Sequence, residues 1–150
     1  HQNVNDLFDL EKMFVPVNIP GQHWFLIIVD FASAEIGAFD SNAVKTSRMQ
    51  YLYNVRRYLN DEWEENKKKR HENKIRPMWR ICDIDVSNNN LQENGFDCGV
   101  FTCMFMYFSV MSWPFVIDQA HIDKCRPHLA LSFLRQNLTS LKDLRAVAKV

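Results

Sequence analysis

The chain has 150 residues, of which 47% are apolar, and its 18 lysine and arginine residues balance its 18 aspartate and glutamate residues. This length and apolar content predict one globular domain spanning residues 1–150 and exclude an intrinsically disordered chain. A net charge of zero gives no support to binding of nucleic acid, and no apolar run reaches the length of a membrane span.

The first forty residues predict three strands joined by tight turns. Residues 14–19 carry β-branched side chains at alternate positions, and Pro16, which has no N–H to donate, favours an edge strand or a bulge. Residues 24–30 form a nearly continuous apolar run, which is typical of a strand buried on both faces. Residues 35–40 form a short third strand, and together the three predict an antiparallel meander.

A long helix is predicted from Ser47, a suitable N-cap residue, to about Lys69. Apolar side chains that recur at helical spacing are expected to face the core; they are Met49, Leu52, Val55, Tyr58 and Leu59. The basic run at residues 67–70 has two interpretations, a solvated helix end with Glu–Lys pairs four residues apart, or a nuclear-import signal. We favour the helix end, because it needs no further function.

The rest of the chain predicts one more strand and three more helices. Residues 78–86 alternate like a strand, and residues 99–111 are apolar on all sides, as in a buried helix. Asp118 is the predicted N-cap of a helix that reaches about Cys125, and a separate helix is predicted from Pro127 to about Asn137. Strands and helices in this order predict an α+β domain.

One of the four cysteines, Cys98, has a setting that favours chemistry. The turn at Asn94-Gly95 precedes it and the buried helix follows, so Cys98 is expected at a helix N-terminus, where free N–H groups and the helix dipole favour a thiolate. The other three cysteines form no Cys-x-x-Cys pair. We interpret them as free buried thiols of a protein from a reducing compartment.

A nucleophilic cysteine needs a nearby imidazole to take its proton, and the imidazole needs a third group that fixes its tautomer. Of the five histidines, His23 stands at the start of the most buried predicted strand, and Asp40 ends the neighbouring one. Adjacent antiparallel strands can bring these two positions side by side. Histidines at strand ends are often merely solvated, so the spacing alone leaves this pairing open.

Three blocks of sequence resemble the signature of the SUMO/sentrin-specific cysteine proteases. They are residues 23–30, which begin His-Trp, residues 39–41, which read Phe-Asp-Ser, and residues 92–101, which read Gln-Glu-Asn-Gly-Phe-Asp-Cys-Gly-Val-Phe. The resemblance extends from about residue 13 to about residue 138. It implies the papain-like-clan, adenovirus-protease-like fold: a mixed or antiparallel sheet packed by helices, with the nucleophile at the N-terminus of a buried helix.

The resemblance also implies a role for each matching residue. Cys98 would be the nucleophile, His23 the general base and then the general acid, and Asp40 the group that orients the imidazole. Gln92 would donate its side-chain amide to the oxyanion beside the backbone N–H of Cys98. Trp24 would wall a narrow tunnel over the C-terminal Gly-Gly of the substrate. This chemistry needs no cofactor and no metal.

The implied function is a thiol protease or isopeptidase, of the nucleus or the cytoplasm, that cleaves after the Gly-Gly of SUMO or a related modifier through a thioester. Its partners would be that modifier and its conjugates, with no nucleic acid and no membrane. Relatives that act on ubiquitin or on other ubiquitin-like proteins remain an alternative, as do relatives with acetyltransferase activity. So does a non-catalytic module that binds such proteins, although the intact set of four catalytic residues argues against it.

The start of the chain departs from the family pattern. Family members carry an N-terminal lobe with a second tunnel tryptophan, and nothing before His1 supplies it. We therefore expect the chain to be the C-terminal part of the catalytic domain, either of a longer protein or of a natural short form.

Two weaker patterns give competing hypotheses. Cys125 with His121 and His128 could bind zinc, but Pro127 interrupts their helical spacing and no Cys-x-x-Cys supports them. Residues 137–139 form a glycosylation sequon, which we interpret as chance in a protein of a reducing compartment.

Overall fold

The structure is a computed structural model that describes residues 6–42, 48–70, 72–82 and 91–135. Its elements follow one another as a 3₁₀ turn at Leu7–Asp9, β1 at Lys12–Ile19, β2 at His23–Asp30, β3 at Glu35–Phe39, α1 at Arg48–Arg70, β4 at Arg80–Cys82, α2 at Cys98–Val110 and α3 at Gln119–Arg135. The chain divides into two compact units, of which the first comprises residues 1–15, 27–38 and 45–84 and the second residues 16–26, 39–44 and 85–150.

The four strands form one sheet in the order β1-β2-β3-β4, so β1 lies at an edge as Pro16 predicts. The connections at residues 20–22 and 31–34 are too short for a crossover, so β1, β2 and β3 run antiparallel, as the predicted meander requires. β4 pairs parallel to β3, with Glu35 opposite Arg80, and these two side chains also form an ion pair. The sheet is therefore mixed.

β2 is the most buried strand. Phe25, Leu26 and Ile27 are fully buried, which confirms the strand with two buried faces that the apolar run predicts. Trp24 is the exception, with 42% of its surface exposed. The start of β2 thus presents one large aromatic side chain to solvent while the rest of the strand lies in the core.

The first compact unit contains α1, whose buried stripe differs in part from the prediction. Leu52 and Leu59 are buried as predicted, together with Trp63, whereas Met49 and Tyr58 are 42% and 50% exposed. At about 100° per residue the three buried side chains fall within roughly 40° of one another, Met49 lies on the rim and Tyr58 about 120° from the centre. The helical spacing thus predicts the helix correctly, but the predicted burial of Met49 and Tyr58 is wrong. The predicted N-cap, residue 47, lies outside the described residues.

An aromatic cluster joins the entry of the chain to α1 within this unit. The Phe8 ring packs edge-to-face against Trp63, with ring centroids 4.9 Å apart, and against Phe31 at 6.0 Å. Phe31 in turn meets Trp79 edge-to-face at 5.5 Å. Such aromatic pairs stabilise the packing beyond the area they bury. The segment from Trp79 leads into β4, which covers part of the predicted strand at residues 78–86; residues 83–86 lie outside the described ranges.

The second unit contains α2, which is buried along one side rather than all round as its apolar sequence predicts, since Val110 is 62% exposed. Phe101, Met104, Phe105 and Phe108 are at most 1% exposed, and the Phe39 ring, at the end of β3, lies 5.8 Å from that of Phe105. The packing of this buried side holds the first turn of α2, and with it Cys98, in one place.

α3 corrects the prediction of two separate helices. The helix continues through Pro127 to Arg135, although proline removes one backbone hydrogen bond. Its buried residues run along one face on both sides of the proline, and they are Ile122, Cys125, Leu129 and Ser132. α3 packs against α2, and this continuous stripe outweighs the lost bond. The predicted N-cap is confirmed, because Asp118 Oδ1 accepts the backbone N–H of His121 at 2.9 Å.

Candidate active site

His23 and Asp40 meet in the second unit, where β2 begins and β3 has just ended. The imidazole Nε2 lies 2.6 Å from Asp40 Oδ1, and the two residues are 6% and 0% exposed. Asp40 Oδ1 also accepts the backbone N–H of Asn42 at 2.8 Å, which anchors the carboxylate. Because a carboxylate accepts, Nε2 carries the proton in the neutral ring, and Nδ1 is the nitrogen left to accept one.

Cys98 belongs to the same unit and is the first residue of α2, the position the sequence predicts. Cys98 is 7% exposed, and its backbone carbonyl accepts a hydrogen bond from the hydroxyl of Thr102 at 2.9 Å. Asp97 precedes it as the N-cap residue, yet the Asp97 side chain makes no capping bond to α2. The first N–H groups of the helix are thus not taken by the residue that normally occupies them.

Three hydrogen bonds hold Gln92, and two of them fix the orientation of its side-chain amide. Its backbone N–H donates to the Ser41 carbonyl at 2.8 Å, and the Ser41 hydroxyl donates to Gln92 Oε1 at 2.7 Å. Gln92 Nε2 donates to the Asn94 carbonyl at 2.6 Å. A backbone carbonyl only accepts, so the atom facing it must be the amide nitrogen. The amide carries two N–H groups, and one therefore remains for a further acceptor.

Trp24 directly follows His23 at the start of β2. Its exposure excludes the core position that its sequence context alone would favour. An accessible indole next to the imidazole can line a binding surface, since aromatic side chains give large contact areas of fixed shape.

Asp97 is a buried carboxylate to which the sequence motifs assign no role. It is 1% exposed, and its oxygens accept from Asn94 Nδ2 at 2.7 Å, from Gln119 Nε2 at 2.5 Å and from the Arg126 guanidinium. Burial raises the pKa of Asp97, but the hydrogen bonds from Asn94, Arg126 and Gln119 outweigh it, so the pKa lies below its ordinary value. The sequence carried no signal for Gln119 and Arg126, because they come from the following helix.

Two other cysteines are poor nucleophiles. Burial raises the pKa of the Cys103 thiol, and that of Cys125 to about 11, so both stay protonated near neutral pH. In the part of the chain that the structure describes, no group of three histidine, cysteine, aspartate or glutamate side chains is arranged to hold a metal ion. The zinc hypothesis for residues 121, 125 and 128 gains no support from that arrangement.

A cysteine at a helix N-terminus, in one unit with a buried imidazole–carboxylate pair, supplies the three groups that the class of thiol proteases uses. The family model for the C-terminal catalytic domain of the Ulp1 protease family matches residues 1–138. The chain belongs to this family. The match confirms the resemblance seen in the three sequence blocks.

Curated relatives give the same result over most of this chain. Ubiquitin-like-specific protease 1 of Saccharomyces cerevisiae is 28% identical over 123 residues, which are 81% of this chain and 18% of that protein. Sentrin-specific protease 2 of Rattus norvegicus is 28% identical over 133 residues, which are 89% of this chain and 22% of that protein. The chain thus spans about a fifth of the length of these relatives.

Solved structures confirm the predicted α+β fold. The C-terminal Ulp1 protease domain in complex with SMT3, the yeast ortholog of SUMO, is 26% identical with a TM-score of 0.56, over 81% of this chain and 51% of that domain. The SUMO protease Ulp1 with its catalytic cysteine oxidised to a sulfonic acid is 25% identical with a TM-score of 0.62, over 87% of this chain and 56% of that one. Within the described residues, no helix is both long and apolar enough to cross a bilayer.

Proposed function

We propose that the chain is the C-terminal part of the catalytic domain of a SUMO-specific cysteine protease. The observation that carries this proposal is the buried contact of 2.6 Å between His23 Nε2 and Asp40 Oδ1, in the same unit as Cys98 at the start of α2. It leaves Nδ1 as the basic nitrogen for the thiol proton. Membership of the Ulp1 family, and the SUMO ortholog bound to one structural relative, support SUMO as the modifier.

In the first step of the proposed reaction, Cys98 Sγ transfers its proton to His23 Nδ1 and attacks the carbonyl carbon of the terminal glycine. The negative charge of Asp40 stabilises the imidazolium that forms. The carbonyl oxygen becomes an oxyanion, which accepts from the remaining N–H of Gln92 Nε2 and from the backbone N–H of Cys98. A preorganised donor of this kind contributes about 2.7–4 kcal/mol to stabilisation of the transition state.

In the second step the tetrahedral intermediate collapses and the C–N bond to the leaving amine breaks. The imidazolium of His23 gives its proton to that amine, which leaves as the lysine side chain or the peptide N-terminus, and a thioester to Cys98 remains. Water then loses a proton to His23 and attacks the thioester carbonyl. The thiol of Cys98 is restored, and the modifier leaves with a free C-terminal carboxylate.

Substrate choice in this proposal depends on Trp24. A half-exposed indole beside His23 would wall a passage that admits two glycines and excludes larger side chains. SUMO and its conjugates are the proposed partners, and the nucleus or the cytoplasm is the proposed location. The match of one family model to residues 1–138 supports a single catalytic domain that contains both compact units.

Reactive probes test this proposal directly. SUMO, ubiquitin and other ubiquitin-like proteins, each with a thiol-reactive group at the C-terminus, would be incubated with this chain and with a fusion that supplies the remaining half of the Ulp1 domain. We expect the SUMO probe to label Cys98, with labelling lost in Cys98→Ser and His23→Ala. Preferential labelling by another probe would replace SUMO as the modifier. If no probe labels Cys98 even in the fusion, the protease proposal is wrong.

A further inference from the structure

We propose that Gln119 and Arg126, two residues of α3, are positioning residues for the protease reaction. They act through Asp97, and they hold the loop at residues 93–97 that separates Gln92 from Cys98. This inference rests on the proposed function, and it adds a second helix to the parts that the reaction needs.

Asp97 is the centre of the contact. Its Oδ2 accepts from Gln119 Nε2 and from Asn94 Nδ2, and its Oδ1 accepts from the guanidinium of Arg126. A carboxylate that is 1% exposed is stable only when its charge is compensated and its oxygens are hydrogen-bonded. Here the compensating cation and one of the two neutral donors both come from α3.

Gln119 spans the whole loop. While its Nε2 donates to Asp97, its Oε1 accepts the backbone N–H of Glu93 at 3.0 Å. Glu93 follows Gln92, the proposed oxyanion donor, and Asp97 precedes Cys98, the proposed nucleophile. The amide of Gln119 therefore bonds to the neighbours of both reacting groups. The distance between those two groups is thereby tied to the position of α3.

The side chain of Asn94 forms the hydrogen bonds within the loop. Its Oδ1 accepts the backbone N–H groups of Phe96 at 3.1 Å and Asp97 at 3.0 Å, while its Nδ2 donates to Asp97. An asparagine in this role favours one compact turn. Within the turn only Asp97 Oδ2 has a donor, and Oδ1 accepts from Arg126 of α3, so the direction of the carboxylate depends on both the turn and α3.

The direction of Asp97 has a consequence for catalysis. An aspartate in the N-cap position normally bonds to the second or third N–H of its own helix. Asp97 makes no such bond: its backbone lies in the helical region, at φ −92° and ψ −2°, and its oxygens accept from Asn94, Gln119 and Arg126. The side chain of Asp97 thus leaves the first N–H groups of α2 available for the thiolate and the oxyanion. Without the donors of α3 the buried carboxylate loses its compensating cation, and we expect the loop at residues 93–97 to shift.

We expect a loss in kcat with little change in KM, because residues 93–97 connect Gln92, the proposed oxyanion donor, to Cys98, the proposed nucleophile. Misplacement of a reacting group by about 1 Å can cost about 100-fold in rate. We expect Arg126→Met to lower kcat about tenfold or more and Gln119→Ala about fivefold, with KM within about twofold. Arg126→Lys keeps the charge and should recover part of the loss.

The experiment measures kcat and KM of a fluorogenic SUMO C-terminal substrate, together with thermal unfolding of each variant. Lys124→Ala, an exposed change on the same helix, is the matched control and should match the parent chain. Normal melting with kcat within twofold of the parent in both Arg126→Met and Gln119→Ala would overturn the inference. If Arg126→Met does not fold, Gln119→Ala alone decides. A parent chain that is inactive and that no probe labels, even in the fusion, would instead count against the proposed function.

Discussion

His23 Nε2 and Asp40 Oδ1 form a hydrogen bond of 2.6 Å that is almost completely removed from solvent. Because Asp40 Oδ1 also accepts the N–H of Asn42, the carboxylate cannot swing away without losing a second bond. The contact therefore selects the tautomer with the proton on Nε2. The basic Nδ1 that results is the feature on which the proposed proton transfer depends.

Replacement of Asp40 by asparagine tests this relationship. The amide of Asp40→Asn can present its N–H to Nε2 and favour the opposite tautomer, as well as remove the charge that stabilises the imidazolium. We expect kcat for a fluorogenic SUMO substrate to fall about 100-fold or more, with a small effect on KM. Asp30→Asn, at the other end of β2, is the control and should stay near the parent value. A kcat for Asp40→Asn within threefold of the parent would contradict the assignment.

Ser41 is expected to act through Gln92. The Ser41 hydroxyl is the donor to Gln92 Oε1, so Ser41→Ala leaves the side-chain amide with only its bond to the Asn94 carbonyl and makes its orientation less fixed. We expect Ser41→Ala to lower kcat about fivefold and Gln92→Ala about 100-fold. In the double variant the Ser41 change should have no further effect, since the group it orients is absent. Fully additive losses would show that Ser41 acts by another route, and Ser33→Ala in an exposed turn serves as the control.

Cys98 should be the most reactive of these thiols although it is less exposed than Cys103. At pH 7.5 we expect iodoacetamide to modify Cys98 in the folded chain well before Cys103 and Cys125, because burial raises the pKa of the latter two, that of Cys125 to about 11. Mass spectrometry of peptides at timed intervals measures the order. The urea-unfolded chain should label all three at similar rates. Equal labelling of Cys98 and Cys125 in the folded chain would argue against the helix-start thiolate.

The contribution of Asp97 to stability should depend on pH in a defined direction. Its pKa is lowered below 3.8 in the folded state, so the folded form binds its proton less readily than the unfolded chain does. The stabilisation from its ionised form is therefore complete above about pH 5 and is lost as the pH falls through 3.8 towards the folded-state value. Urea unfolding of the parent chain and of Asp97→Asn measures this. Their difference in free energy of unfolding should shrink between pH 5 and pH 3, and a constant difference would contradict the assignment.

Local sequence predicted much of the fold because several elements carry strong signals of their own. The apolar run of β2 is buried as predicted, α2 forms the predicted helix with one side in the core, and Pro16 identified the edge strand. The wrong predictions concern positions where tertiary packing, rather than local sequence, determines the structure. Pro127 argued for a break in α3, but the buried stripe on both sides of it holds one helix together. Tyr58 has helical spacing with the core residues, yet it lies on the far side of α1.

The sequence by itself determined the elements of the site that are local: Cys98 at a turn-to-helix junction, the apolar α2 behind it, and the motif blocks that identify the family. Only the tertiary structure decided how distant groups face one another. The tautomer of His23 depends on a carboxylate 17 positions away, and the direction of Asp97 depends on Gln119 and Arg126 from α3. The reason is physical, because propensity and turn chemistry act between neighbours in the chain, whereas hydrogen bonds to buried charged groups depend on which elements pack together.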